Sequence, residues 1–168
     1  MTESGLQAIG PKRAIIIFDT NFGNTERIGK SISAGLQRAG VKVDIVSTRE
    51  ALPGPLQTYD LIVIGAPTQK FTASEPMKEF IGRLEKREGG LEGKSFFAFD
   101  TKLPSRFSGS AAKYIESRLE KMGLRAAAQR SSAIGRGSTF KLDEGEEVRF
   151  EGIGVELGRG IAGQSAKN

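Results

Sequence analysis

Asp19-Thr20-Asn21-Phe22-Gly23-Asn24-Thr25 gathers amides, hydroxyls and one glycine between a short apolar run and an amphipathic segment. Such a turn suits a phosphate. Backbone N–H groups at a helix N-terminus, joined by the side chains of Thr20, Asn21, Asn24 and Thr25, surround an anion with neutral donors. Two further polar segments follow apolar runs, Gly65-Ala66-Pro67-Thr68 and Asp100 to Ser110. The rest of the chemistry is narrow. With no Cys and no His in 168 residues, disulfides, thiolate metal sites, iron–sulfur clusters, Cys nucleophiles and Ser-His-Asp triads are excluded. Any reaction beyond acid–base work by Asp, Glu, Lys or Tyr needs a cofactor to carry it.

Other phosphate motifs fail on residues. No G-x-x-x-x-G-K-[ST] supplies the lysine and magnesium ligand of a nucleoside triphosphatase, and the dinucleotide fingerprint G-x-G-x-x-G is missing. A phosphoacceptor domain wants acids at the ends of both the first and third strands, and only Asp19 is there.

The elements that position these turns follow from hydrophobic period. Ala14 to Phe18, Leu61 to Ile64 and Phe96 to Phe99 are continuous apolar runs, as in strands buried on both faces. Val41 to Val46 alternates, as a strand nearer the sheet edge does, and a fifth strand is expected over roughly 125–134. Between them, Met77, Phe80, Ile81 and Leu84 share one helical face, as do Ala112, Ile115, Leu119 and Met122. Helices are expected over about 24–39 and 109–122, ending at Gly40 and Gly123. A last helix is argued from Phe150, Ile153, Leu157 and Ile161, with Asp143, Glu144, Glu146 and Glu147 near its positive end and Arg159 near its negative end. Its four glycines, at 152, 154, 158 and 160, each cost roughly 1 kcal/mol against Ala, so docking must hold it. A short turn at Pro53-Gly54-Pro55 replaces a full second helix.

Strand and helix alternate about five times, and right-handed crossovers make this a parallel, doubly wound α/β sheet in three layers. One domain is expected over 13–163, with tails at 1–12 and 164–168. Ligands of such sheets bind beyond the carboxyl ends of the strands, where all three polar segments fall.

Thr20-Asn21-Phe22-Gly23-Asn24-Thr25 resembles the T/S-x-x-G-x-T phosphate loop of the flavodoxin-like flavoproteins, and Gly65-Ala66-Pro67-Thr68 is similar to their G-S/A-P-T turn. The stretches Phe97 to Lys102 and Arg106 to Lys113 look like a prokaryotic, often archaeal, flavodoxin-domain subgroup. The resemblance covers about residues 13–163 and implies a five-stranded 2-1-3-4-5 sheet with FMN across the carboxyl ends of strands 1, 3 and 4. It implies that Thr20, Asn21, Gly23, Asn24 and Thr25 hold the flavin phosphate. Pro67, Thr68 and Gln69 would border the ribityl chain and ring, and the loop of Asp100, Thr101 and Lys102 would meet the pyrimidine edge.

The ring's neighbours differ from the family pattern. Electron-carrier members cover the ring with Trp or Tyr, whereas this chain has no Trp, and Tyr59 and Tyr114 fall away from the three loops. Phe71 and Phe107, with Phe22 in the phosphate turn, are the available aromatics. Those members are also acidic around the flavin, whereas Lys102, Arg106 and Lys113 here accompany Asp100 alone. A cation near the ring favours reduced, anionic flavin, so a less reducing flavin is expected.

The resulting expectation is an FMN-binding redox protein that exchanges electrons with a partner protein or a small acceptor. Its alternatives are a flavin-dependent reductase of a quinone or similar acceptor, and an interaction module that keeps the fold without the flavin. The formal charge of +5 comes with no nucleic-acid-binding motif, so no nucleic-acid partner is expected. The start, MTESGLQAIGPKR, lacks a signal-peptide core, and no window reaches a membrane span, so a cytoplasmic protein is expected.

Overall fold

A computed structural model describes residues 10–51, 54–87 and 89–166. Of the expected N-terminal tail, residues 1–9 lie outside the described residues, as does Pro53 of the expected turn; Gly54–Thr58 form a single 3-10 turn. Strands β1 (Arg13–Phe18), β3 (Leu61–Gln69) and β5 (Ser95–Lys102) make the sheet centre because they are apolar on both faces. Ala14 and Ile16 enter one core layer, and Ile15 and Ile17 the other. The alternating strand β2 (Lys42–Ser47) flanks β1, and β7 (Ser131–Arg136) flanks β5. All four pairings among these five are parallel, giving the expected 2-1-3-4-5 arrangement as β2-β1-β3-β5-β7.

Three short strands correct the purely parallel, five-stranded expectation. β4 (Thr72–Ala73) folds back antiparallel on β3, and β8 (Lys141–Leu142) does the same on β7. β6 (Arg125–Ala126) is the detached start of the fifth strand. The run expected over 125–134 breaks because residues 127–130, Ala-Ala-Gln-Arg, are exposed and offer no β-branched or aromatic side chain to a core.

Helices α1 (Asn24–Arg38) and α4 (Glu146–Ala166) cover one face, and α2 (Glu75–Lys86) and α3 (Ala111–Lys121) the other. No helix among the described residues is long and apolar enough to cross a membrane.

Helix α4 reaches Ala166, three residues past the expected domain end, so Arg159 is not in its last turn but pairs with Glu156 at 3.1 Å. Its glycines have a packing reason. A Cβ on Gly154 would stand 2.3 Å from the Ile32 carbonyl oxygen, and one on Gly35 would stand 2.0 Å from that of Glu151, so α1 and α4 meet backbone to backbone. Gly152 and Gly160 face open space instead. Gly154→Ala is therefore expected to cost about 1–3 kcal/mol from overpacking. Gly152→Ala should instead stabilise by about 1 kcal/mol through helix propensity. Urea unfolding of the two variants checks the opposite signs.

Glu146 fastens α4 to the sheet edge. Its Oε2 accepts from the Ile134 N–H at 2.8 Å, and its carboxylate takes two bonds from Arg149, whose Nη2 also donates to the Ser132 carbonyl at 2.6 Å. Arg149, then the Ile134 N–H, hold the Glu146 pKa below its ordinary value against the opposing effect of burial. A depressed carboxylate pKa stabilises the fold above the unfolded value, and that contribution disappears as pH falls through the folded one. Thermal unfolding of Glu146→Gln beside the parent chain should show a gap at pH 7 that closes in acid.

Candidate functional site

The carboxyl ends of β1, β3 and β5 bring three loops to one edge of the sheet. In the first, Thr20 Oγ1 accepts from the Gly23 N–H at 2.9 Å, and Gly23 adopts φ +87°, a left-handed conformation that costs glycine little. The chain thereby turns into α1 with no side chain capping the helix. The N–H groups of Asn24 and Thr25 consequently have no intrahelical acceptor. Both residues are buried: Asn24 Nδ2 donates to the Phe140 carbonyl, and Thr25 Oγ1 lies 3.0 Å from Thr101 Oγ1.

These groups open onto one cavity of about 120 Å³. Thr20, Asn21, Phe22, Asn24 and Thr25 of the first loop line it with Pro67, Thr68 and Gln69 of the second and Thr101 of the third. The volume is several times the roughly 10–15 Å³ that a water needs in the same measure. It suits a phosphate-sized group and leaves a tricyclic ring to lie outside, over the loops. Among the described residues no lysine or arginine lines it, so the donor set is neutral.

Sequence reasoning missed Phe140, which closes the cavity from the β7–β8 turn with φ +51°. Its position beyond the carboxyl end of the fifth strand was the available signal. The expected residues Gly23, Phe71, Asp100, Lys102, Arg106 and Phe107 do not line this cavity.

Asp100 is fully buried, and its Oδ2 accepts from Ser110 Oγ at 2.7 Å, the Ala112 N–H at 3.0 Å and Thr68 Oγ1 at 3.2 Å. Thr68 Oγ1 in turn accepts from the Ala111 N–H at 2.9 Å. The carboxylate thus ties the second loop and the start of α3 together, while Asp100 Oδ1 is buried without a partner. A bridge between Phe71 and Gly109 adds a backbone fastening, and a Cβ on Gly109 would lie 2.1 Å from the Phe71 carbonyl oxygen.

Lys70 and Phe71 form the two-residue turn between β3 and β4 with φ +48° and +73°, a left-handed pair for which non-glycine residues are strained. That turn holds the Phe71 ring 72% exposed. Phe22 and Phe107 are as open, at 75% and 74%, and the Arg106 guanidinium lies 5.0 Å over the Phe107 ring.

A family model described as flavodoxin matches residues 16–151. The chain belongs to the flavodoxin family. It is 33% identical over 110 residues to an NAD(P)H dehydrogenase (quinone) of Archaeoglobus fulgidus, covering 49% of this chain and 57% of that protein. A flavodoxin of Clostridium saccharobutylicum is 34% identical over 87 residues, covering 51% of this chain and 53% of that one. The chain thus spans just over half the length of these curated relatives. In fold it is similar to a solved flavodoxin from the domain Archaea, with a TM-score of 0.74 and 20% identity over 89% of this chain and 98% of the other.

FMN is the cofactor of flavodoxins, and the donor set fits it. An uncapped helix N-terminus with neutral hydroxyls and amides matches a phosphate monoester, and exposed phenyl rings stand on the same edge where a flavodoxin's ring would lie.

Proposed function

We propose that this chain binds FMN at the carboxyl edge of its sheet and carries electrons in the cytoplasm. The observation that supports this most is the uncapped N-terminus of α1 opening on a cavity of neutral donors. Thr20, Asn21, Asn24 and Thr25 would hold the phosphate through main-chain N–H groups and side-chain donors, with Gly23 making the turn that presents them. Pro67, Thr68 and Gln69 would border the ribityl chain, with Thr101 beneath it. Phe22, Phe71 and Phe107 would cover the ring, each stacking contact contributing about 0.5–1.5 kcal/mol beyond area burial. Lys102 and Arg106 would bring positive charge to the ring's side of the site, and Asp100 would set the loop spacing. Bound flavin supplies one- and two-electron chemistry, while the protein fixes its position and electrostatics.

A quinone reductase is the second reading, favoured by the similarity to the Archaeoglobus protein. Titration of apoprotein with FMN is expected to reach a 1:1 endpoint, and no binding at high micromolar FMN would remove both readings. The isolated holoprotein, given NADPH and a quinone, then separates them: a carrier shows no sustained turnover without a reductase, and a reductase turns over alone.

A further inference from the structure

Four of the five large apolar side chains standing exposed among the described residues belong to the three loops of the carboxyl edge: Phe22, Phe71, Leu103 and Phe107. Cations flank them. Lys70 adjoins Phe71, Lys102 adjoins Leu103, Arg106 adjoins Phe107, and Lys113 occupies the first turn of α3. None of these four forms an ion pair within the described residues.

Elsewhere many arginines are paired with carboxylates, as in Arg27–Glu147, Arg38–Glu151, Arg118–Glu85 and Arg130–Glu116, although Arg49, Arg83 and Arg125 form no ion pair within the described residues. On the second and third loops no exposed carboxylate among the described residues compensates. Asp100 is buried, Glu75 at the start of α2 is taken by Lys78 at 3.5 Å, and Asp19 on the first loop is half-buried.

An apolar centre with a charged rim has the anatomy of a protein interface. The centre supplies contact area, and the rim supplies orientation and encounter rate. We propose that this edge docks an acidic redox protein, its apolar patch seated on Phe71, Leu103 and Phe107 and its carboxylates facing Lys70, Lys102, Arg106 and Lys113. The inference rests on the proposed function only for the presence of flavin at that surface; the charge pattern stands without it.

The test uses the full chain, isotopically labelled for NMR, with an acidic [2Fe–2S] ferredoxin as probe and basic cytochrome c as its counterpart. Ferredoxin is expected to perturb signals in the segments 68–71 and 101–113. Its affinity should fall at least about tenfold between roughly 10 and 200 mM salt, as the screening length contracts from about 30 Å to under 10 Å. Lys70→Glu combined with Lys113→Glu, at two positions outside the candidate cofactor site, should weaken ferredoxin about tenfold. The same variant should still take up FMN to a 1:1 endpoint.

Preference for cytochrome c, perturbation confined to another surface, or equally tight binding of polyglutamate would overturn the docking surface. Ferredoxin binding at these loops by a chain that fails to take up FMN would uphold the surface and remove the cofactor reading.

Discussion

Asn24→Asp is expected to weaken FMN binding by about two to three orders of magnitude while changing riboflavin binding less than tenfold. The substitution keeps the shape of a side chain that lines the cavity and is itself buried. It sets a carboxylate where the neutral donor set would hold a phosphate. Two unit charges about 4 Å apart repel by roughly 4 kcal/mol at an effective dielectric of 20, and each 1.4 kcal/mol is tenfold in affinity. Riboflavin lacks the phosphate and so escapes that repulsion. A carboxylate cannot donate to the Phe140 carbonyl as Asn24 Nδ2 does, so a stability loss of about 1–3 kcal/mol is expected, reduced by the favourable interaction of a negative charge in the first turn of α1 with the helix dipole. Paired fluorescence titrations with FMN and riboflavin read the difference. Equal losses for both ligands would place the phosphate elsewhere.

Asp100→Ala carries the second large effect, on stability. The change removes three accepted hydrogen bonds and leaves the Ala112 N–H buried without its acceptor. Bonds to a charged acceptor are worth about 1.5–3 kcal/mol each, offset here by relief of burying a carboxylate whose Oδ1 has no partner. A net loss of about 3 kcal/mol is expected, or roughly 6–12 °C in Tm for a domain of this size. Asp100→Asn retains one acceptor oxygen and should cost less than half as much. Calorimetric scans of both variants rank them, and the reverse order would deny the network its fastening role.

The polar turn into α1 was legible because its residue types and its place after an apolar run point the same way, to a loop at the carboxyl edge of the sheet. The residues that follow β5 were less so, for a reason visible in that strand. Alternation along the strand sends Phe96 and Ala98 to the layer of α2 and α3, and Phe97 and Phe99 to that of α1 and α4. Continued two residues further, it carries Asp100 toward the start of α3 and Thr101 toward Thr25, which is where they lie. The sequence held that period, but grouping the two residues as one loop hid it.

Phe140 could not be found by composition. A phenylalanine with φ +51° closes its turn where Gly or Asn would be the usual sign, and its main-chain carbonyl accepts from Asn24 whatever the side chain. The α4 glycines show the converse: helix propensity alone argues against the element, and the backbone contact with α1 that explains two of them is a tertiary fact.

The clasp between α4 and β7 bears on how copies of this chain meet one another. A sheet border normally offers free amides and carbonyls to any passing strand and so invites runaway stacking. Here the Ile134 N–H is held by Glu146, its carbonyl by the Asp143 N–H, and the Ser132 carbonyl by Arg149, while β8 covers Gly135 and Arg136. That border is sealed by the chain's own groups, which closes ribbon-like growth through it and leaves self-association to the molecule's other surfaces.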